Sequence, residues 1–244
     1  MNAWSQARGG GLLATAIARA EAWLLDPPAP RMPAPPPAPP PRPVVAVRGL
    51  ARGCGASTVA RALAATLARD DPAGAAVLVG GPPGAGPRIA GPAALRLARS
   101  LTDCGCESVR ASGRVCLVSD RELAAAVAAA RSYPVVIDVA HASPAAEGLG
   151  AAHLAVLVAS PAVESALAAA VETSLAAAGH RVEVVTNRVD LREPPSTHPG
   201  GGPPLVIGES RLAAQLALAC REARGPFARP IAELADRCRA AARG

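Results

Sequence analysis

The residues of this chain best placed for chemistry lie between two apolar stretches. Gly53 and Gly55 are followed directly by Ala56, Ser57 and Thr58, after the apolar run Val44-Val-Ala-Val and before an alanine- and leucine-rich stretch ending near Arg69. That order predicts a buried strand, a glycine turn and a helix opening on two hydroxyls. Glycines in such a turn let backbone N–H groups, Cys54 and Ala56 included, face a phosphate, and the helix dipole adds to the attraction. A serine or threonine at the helix start can bind magnesium, while a lysine between glycine and hydroxyl normally holds the outer phosphates. Here that position is Ala56, and all 25 basic residues of the chain are arginine. Arg52, which flanks the turn, is the nearest substitute cation. Asp138 ends the apolar run 135–139 and is the candidate carboxylate for a magnesium-bound water. The question is whether the loop works or has lost its chemistry.

Other polar residues carry less. His141 follows Asp138 by three positions, with no second His or Cys placed to complete a site. Ser160 and Glu164 read as a helix cap and a first-turn carboxylate. His198 sits in a Gly- and Pro-rich loop. Ser57 lacks the His and Asp partners of a hydrolytic triad. Of the six cysteines, Cys104 and Cys106 form a tight pair without a second pair at metal-site spacing. The reading is reduced thiols, several in the core, in a cytoplasmic protein.

The elements that must position these residues follow from composition. The chain has 244 residues, half of them hydrophobic, but only two Trp, one Tyr and one Phe. A core of Ala, Val, Leu and Ile suits helices packed on a parallel sheet. Strand candidates are 44–48, 76–80, 114–118, 134–140, 154–158, 182–186 and 204–207. Helical stretches lie at 57–69, 121–132, 163–178, 209–223 and 230–242, with a short piece near 93–101 inside a Gly/Pro-rich excursion over 80–113. Strand–helix alternation predicts an α/β fold: a doubly wound, mainly parallel sheet of about seven strands with helices on both faces, strand 44–48 lying centrally beside 134–140. The net charge of +6 comes from scattered arginines without stacking aromatics, so no nucleic-acid partner is expected. No apolar run of about 18 residues implies a spanning helix, and the start Met-Asn-Ala-Trp has no basic n-region.

Residues 44–244 thus form one domain. Ahead of it, 1–26 contain an amphipathic helix, with Leu13, Ile17, Ala20 and Leu24 on one face, and 27–43 form a proline-dense linker of polyproline II character. The helix can dock a partner, touch a membrane peripherally or fold back on the domain. Its charges, Arg19, Glu21 and Asp26, make no basic face, which disfavours the membrane.

The segment Arg52-Gly-Cys-Gly-Ala-Ser-Thr-Val-Ala resembles the deviant P-loop of the ParA/MinD ATPases, Lys-Gly-Gly-x-Gly-Lys-Thr-Thr. Val135-Val-Ile-Asp-Val-Ala-His resembles the family's strand ending in the switch II aspartate. Ala155-Val-Leu-Val-Ala-Ser-Pro resembles the next strand, and Val184-Val-Thr-Asn-Arg the strand whose Asn contacts adenine. The resemblance spans most of 44–244. Gly-Ala-Ser-Thr is most like the CpaE/TadZ branch, associated with pilus assembly and localisation. It implies ATP or ADP with Mg as ligand, held by Gly53, Cys54, Gly55, Ala56, Ser57, Thr58, Asn187 and Arg188, with Ser57 and Asp138 at the metal. It also implies a homodimer and a protein partner of the secretion or pilus ATPase class. The departures are specific. Ala56 and Ala51 replace two lysines, and Leu50 replaces the first loop glycine. Gly80 and Gly81 stand where the family has a water-orienting aspartate, and His141-Ala142 replaces Pro-Gly. These losses imply weak or no hydrolysis. The enzyme-class alternative is an ATPase using Arg52 in place of lysine.

Overall fold

The computed structural model describes residues 14–21, 41–80, 89–139, 149–192 and 205–244. The chain divides into two units, 1–39 and 40–244. In the first, residues 14–21 are helical (α1). The second is built on eight strands: β1 (Val44–Gly49), β2 (Ala76–Gly80), β3 (Arg110–Ser112), β4 (Val115–Val118), β5 (Val135–Val139), β6 (Leu154–Ala159), β7 (Val182–Val189) and β8 (Leu205–Gly208). Their order is β3-β4-β2-β5-β1-β6-β7-β8. Every pairing is parallel except β3 with β4. The α/β class, the parallel sheet and the central place of β1 beside β5 are as the sequence predicts.

Each strand sends alternate residues to opposite faces, so one apolar run feeds two cores. Val45 and Val47 join Val136, Val156 and Val185 on one face. Val44 and Ala46 join Val77, Ile137 and Val139 on the other. The first face carries α2 (Ala56–Asp70), α6 (Arg211–Leu218) and α7 (Ala228–Arg243); the second carries α3 (Pro92–Asp103) and α4 (Leu123–Ala128). Helix α5 (Ser165–Ala177) follows β6. Helix α2 is buried continuously from Val59 to Ala68, sandwiched between the sheet and α6 and α7. Its alanines allow that close approach on every side.

Three local readings change. Strand β3 was not anticipated: Gly113, at φ 57°, turns the chain so that Ser112 pairs with Val115 as an antiparallel edge. The helix expected over 121–132 is α4 flanked by two 3₁₀ turns. Glu122 explains the first turn. One of its oxygens accepts from the Ser119 backbone N–H at 3.0 Å, and the other accepts from Ser108 N–H at 3.0 Å, which ties the turn to the preceding loop. The helix expected to reach 223 ends at Leu218. Cys220 takes a left-handed φ of 52°, its N–H bonding Ala217 O while Arg221 N–H bonds Leu216 O. That is a Schellman ending built without glycine.

Candidate nucleotide site

The loop after β1 is a turn held by its own backbone. Leu50 N–H donates to Val158 O at 3.0 Å on β6, which fixes the exit of the central strand. Gly53 and Gly55 adopt φ of 78° and 88°, a region costly for other residues. Cys54 between them turns inward and is buried. A Cβ at Gly49 would lie 2.7 Å from its Sγ, so only glycine at 49 lets the thiol pack beneath the turn. Gly55 is the N-cap of α2 and offers no side-chain acceptor. The first-turn amides of a helix have no intrahelical partner, so those of Ala56, Ser57 and Thr58 are the natural anion cradle. Arg52 is exposed at the tip of the turn.

Two strand ends converge on this turn from the same side of the sheet. Asp138 shares the face of Val136, which is the face covered by α2. It is 6% exposed, lies near enough to Ser57 to feel its hydroxyl, and its Oδ2 has no hydrogen-bond partner among the described residues. Burial raises its carboxyl above the ordinary range, opposed by the nearby Ser57 hydroxyl and the positive charge of Arg61. Asn187, two residues beyond Val185 on β7, is 2% exposed. Its Nδ2 donates to Cys54 O at 2.8 Å, which leaves Oδ1 as an unpaired buried acceptor. A Cβ at Gly55 would lie 2.2 Å from Nδ2, so the amide rests directly on the loop. Arg188 forms a bulge at φ 62° and shifts the β7–β8 register.

The turn, Asp138 and Asn187 are thus brought together as expected, with Thr58 and Arg188 beside them. A small open pocket of about 100 Å³ lies there, lined by Gly55, Thr58, Asn187, Arg188, Glu209, Ser210, Arg211, Ala214 and Phe227. Residues after β8 were not picked from the sequence. Their only signal was the strand-end position at which open α/β sheets bind ligands.

Magnesium fits the remaining donors. An orphaned buried carboxylate oxygen beside a serine hydroxyl is the hard oxygen set this cation prefers, and it usually takes only one or two protein ligands. Among the described residues no group of three His, Cys, Asp or Glu could hold a metal alone. At Gly80 the backbone has no place for a side chain. Gly80 is at φ 76°, in register with Asp138, and a Cβ there would meet the Asp138 carbonyl oxygen at 2.8 Å. His141, Ala142, Gly81 and His198 lie outside the described residues. Ser160 is not a side-chain cap: α5 begins at Ser165, and Glu164 is its N-cap residue.

One of the scattered arginines is buried. Arg61 on α2, one turn beyond Ser57, is 1% exposed and donates to Leu218 O at 3.0 Å. It therefore satisfies a carbonyl at the end of α6. Nothing in its sequence context separates it from the solvated arginines.

No family model matches the chain, and no curated protein does. Solved structures do. MinD, the cell division ATPase of Pyrococcus furiosus, is 19% identical with a TM-score of 0.55, over 80% of this chain and 97% of that one. A ParA family ATPase from Chlorobium tepidum is 17% identical with a TM-score of 0.53, over 80% and 97%. The chain has the ParA/MinD fold. A third structure of that fold, the ATP complex of Cyanothece McdA(D38A), is 15% identical with a TM-score of 0.51, over 82% and 97%. At these identities the likeness shows the architecture.

Proposed function

We propose that this protein is a ParA/MinD-like regulator or localisation factor, closest to the CpaE/TadZ type, that binds ATP or ADP with magnesium weakly and turns it over slowly or not at all. Its output is contact with a protein partner, with a secretion or pilus ATPase as the partner class and a homodimer as a possible active form. The observation that carries this is the pairing of a preserved loop with missing catalytic charge. Gly53, Gly55, Ser57, Thr58, Asp138 and Asn187 meet at the loop, while Ala56 supplies no cation and Gly80 has no room for a side chain on this backbone. Phosphoryl transfer depends on positioning and charge neutralisation, so losing these groups removes rate more than affinity. The adenine nucleotide is proposed from the fold and from the ATP held by the McdA relative.

The second reading is an ATPase driven by Arg52. Its exposed place at the loop tip leaves it able to move but not preorganised, which disfavours it. The test is a titration of ATP with magnesium followed by a turnover assay, with Ser57→Ala as a control for the site. The pseudoenzyme reading expects saturable binding weakened by Ser57→Ala and negligible phosphate release. Turnover near ~1 s⁻¹, an ordinary enzymatic rate, that is lost in Arg52→Ala would establish the ATPase instead.

A further inference from the structure

The pocket beside the loop holds charge that the loop lacks. Arg188 and Arg211 both line it, with Glu209 as the single carboxylate among its lining residues, so the balance is positive. Arg188 reaches this place through a left-handed φ of 62°, a conformation that a non-glycine residue keeps only where the surroundings enforce it, commonly at functional sites. The bulge at Arg188 accompanies the seating of Asn187 on the loop: Asn187 lines the same pocket, and its Oδ1 has no hydrogen-bond partner among the described residues. A buried acceptor without a partner calls for an explanation, and a ligand entering the pocket beside it supplies one.

Which end of a nucleotide meets these arginines follows from the opposite side of the loop. Asp138 and Ser57 fit magnesium, and that ion bridges the two outer phosphates in phosphoryl-transfer sites. Neither residue lines the pocket, whereas Thr58 and Gly55 do. The pocket therefore flanks the loop away from the metal end, on the nucleoside side. We infer that Arg188 and Arg211 supply from this side the positive charge that Ala56 does not, so that the ligand is gripped chiefly by the phosphate nearest its nucleoside and ATP and ADP bind alike. This rests on the nucleotide-binding reading above. It makes the protein a sensor of nucleotide presence that is indifferent to the γ-phosphate.

The test is calorimetric titration of the full-length protein with ATP, ADP, AMP and adenosine, repeated with Arg188→Gly and with Arg188→Gly/Arg211→Gln. Glycine is the natural residue at this φ, so Arg188→Gly removes the guanidinium while keeping the bulge, and its thermal midpoint should equal or exceed that of the parent. Expected are ATP and ADP affinities within about threefold, and AMP about tenfold or more tighter than adenosine, as a charge-assisted contact provides. The double variant should close the AMP–adenosine gap. ATP more than about tenfold tighter than ADP, or a gap that survives in the double variant, overturns the inference and leaves nucleotide binding intact. Failure of the parent to bind any of the four removes the nucleotide reading itself, and this inference with it.

Discussion

Asp138 is the residue at which stability opposes the proposed metal-binding role. Its carboxyl is raised by burial, so the folded chain prefers it protonated. Stability from this group is greatest below the ordinary carboxylate range and is lost as pH rises through the raised value; at neutral pH its charge is a net cost. Asp138→Asn keeps an oxygen for the Ser57 hydroxyl and removes the charge. The variant is expected to have a higher thermal midpoint than the parent at pH 7, with the difference shrinking on acidification, and to lose any magnesium dependence of nucleotide binding. Thermal melts from pH 4 to pH 8 with and without Mg-ATP check both parts. A variant less stable than the parent at pH 7 would mean that the charge of Arg61 outweighs desolvation. Glu122 has the opposite sign. The backbone N–H of Ser108, with those of Ser119 and Glu107, holds its carboxyl below the ordinary range, so its contribution is present near neutrality and is lost as pH falls through the folded value.

Among the elements, α2 does more than carry the loop. Ser57 at its start touches Asp138, and Arg61 one turn on holds the end of α6 through Leu218 O. The adjoining Ala219 O accepts from the Ser112 hydroxyl at 3.2 Å, and Gly113 packs so closely that a Cβ would meet Cys220 O at 2.5 Å. The end of α6 is thus clasped from two sides, by α2 and by the edge hairpin β3–β4. Arg61→Met keeps most of the side-chain volume but strands a helix-end carbonyl and removes the positive charge near Asp138. It should cost about 2–4 kcal/mol, the range for breaking a buried charged hydrogen bond. Denaturant unfolding measures it. In a double-mutant cycle with Asp138→Asn, part of that loss should be recovered, because the second change removes the carboxylate that Arg61 offsets. Simple additivity would show that Arg61 and Asp138 are not coupled.

At the scale of the whole molecule, the proposed separation is between the α/β domain and an N-terminal recruitment module. Leu12, Leu13, Ile17, Trp23, Leu24 and Leu25, with Trp4, concentrate large apolar groups ahead of the proline tract. A segment meant only to be solvated would not need them. Where the domain begins is set by contacts at 42–43. The Arg42 guanidinium bonds Asp71 at 2.9 Å, and Pro43 O accepts from Val135 N–H at 2.9 Å. These lie inside the 27–43 stretch read from sequence as linker, so its last residues belong with the sheet. Removing 1–40 should leave the thermal midpoint unchanged and impair partner recruitment. Removing 1–43 should lower the midpoint by several degrees, since it also deletes a part-buried ion pair and a strand-end acceptor worth about 1–2 kcal/mol together. Paired melts of the two truncations, with pull-down of the recruited partner, separate the roles. A large loss of stability on removing 1–40 would instead make the N-terminal segment part of the fold.

The sequence by itself determined the architecture. Continuous Val/Leu/Ile/Ala runs between helical stretches allow little besides parallel strands covered on both faces, and Gly53-Cys-Gly55 followed by two hydroxyls marks where the first helix must begin. Those signals are local, so they survive reading one residue at a time. Asp138 was legible for the same reason, as the polar end of an apolar run. What only the tertiary structure decided depends on residues far apart in the chain. Arg61 reads like every other arginine until Leu218 is placed against it, 157 positions away. Glu209 and Arg211 became part of the pocket wall because β8 lies beside β7. That position 80 has no room for a side chain follows only from the Asp138 carbonyl oxygen, 2.8 Å from where a Cβ would stand. Periodicity encodes which face of an element is buried; it carries no record of which distant backbone will press against it.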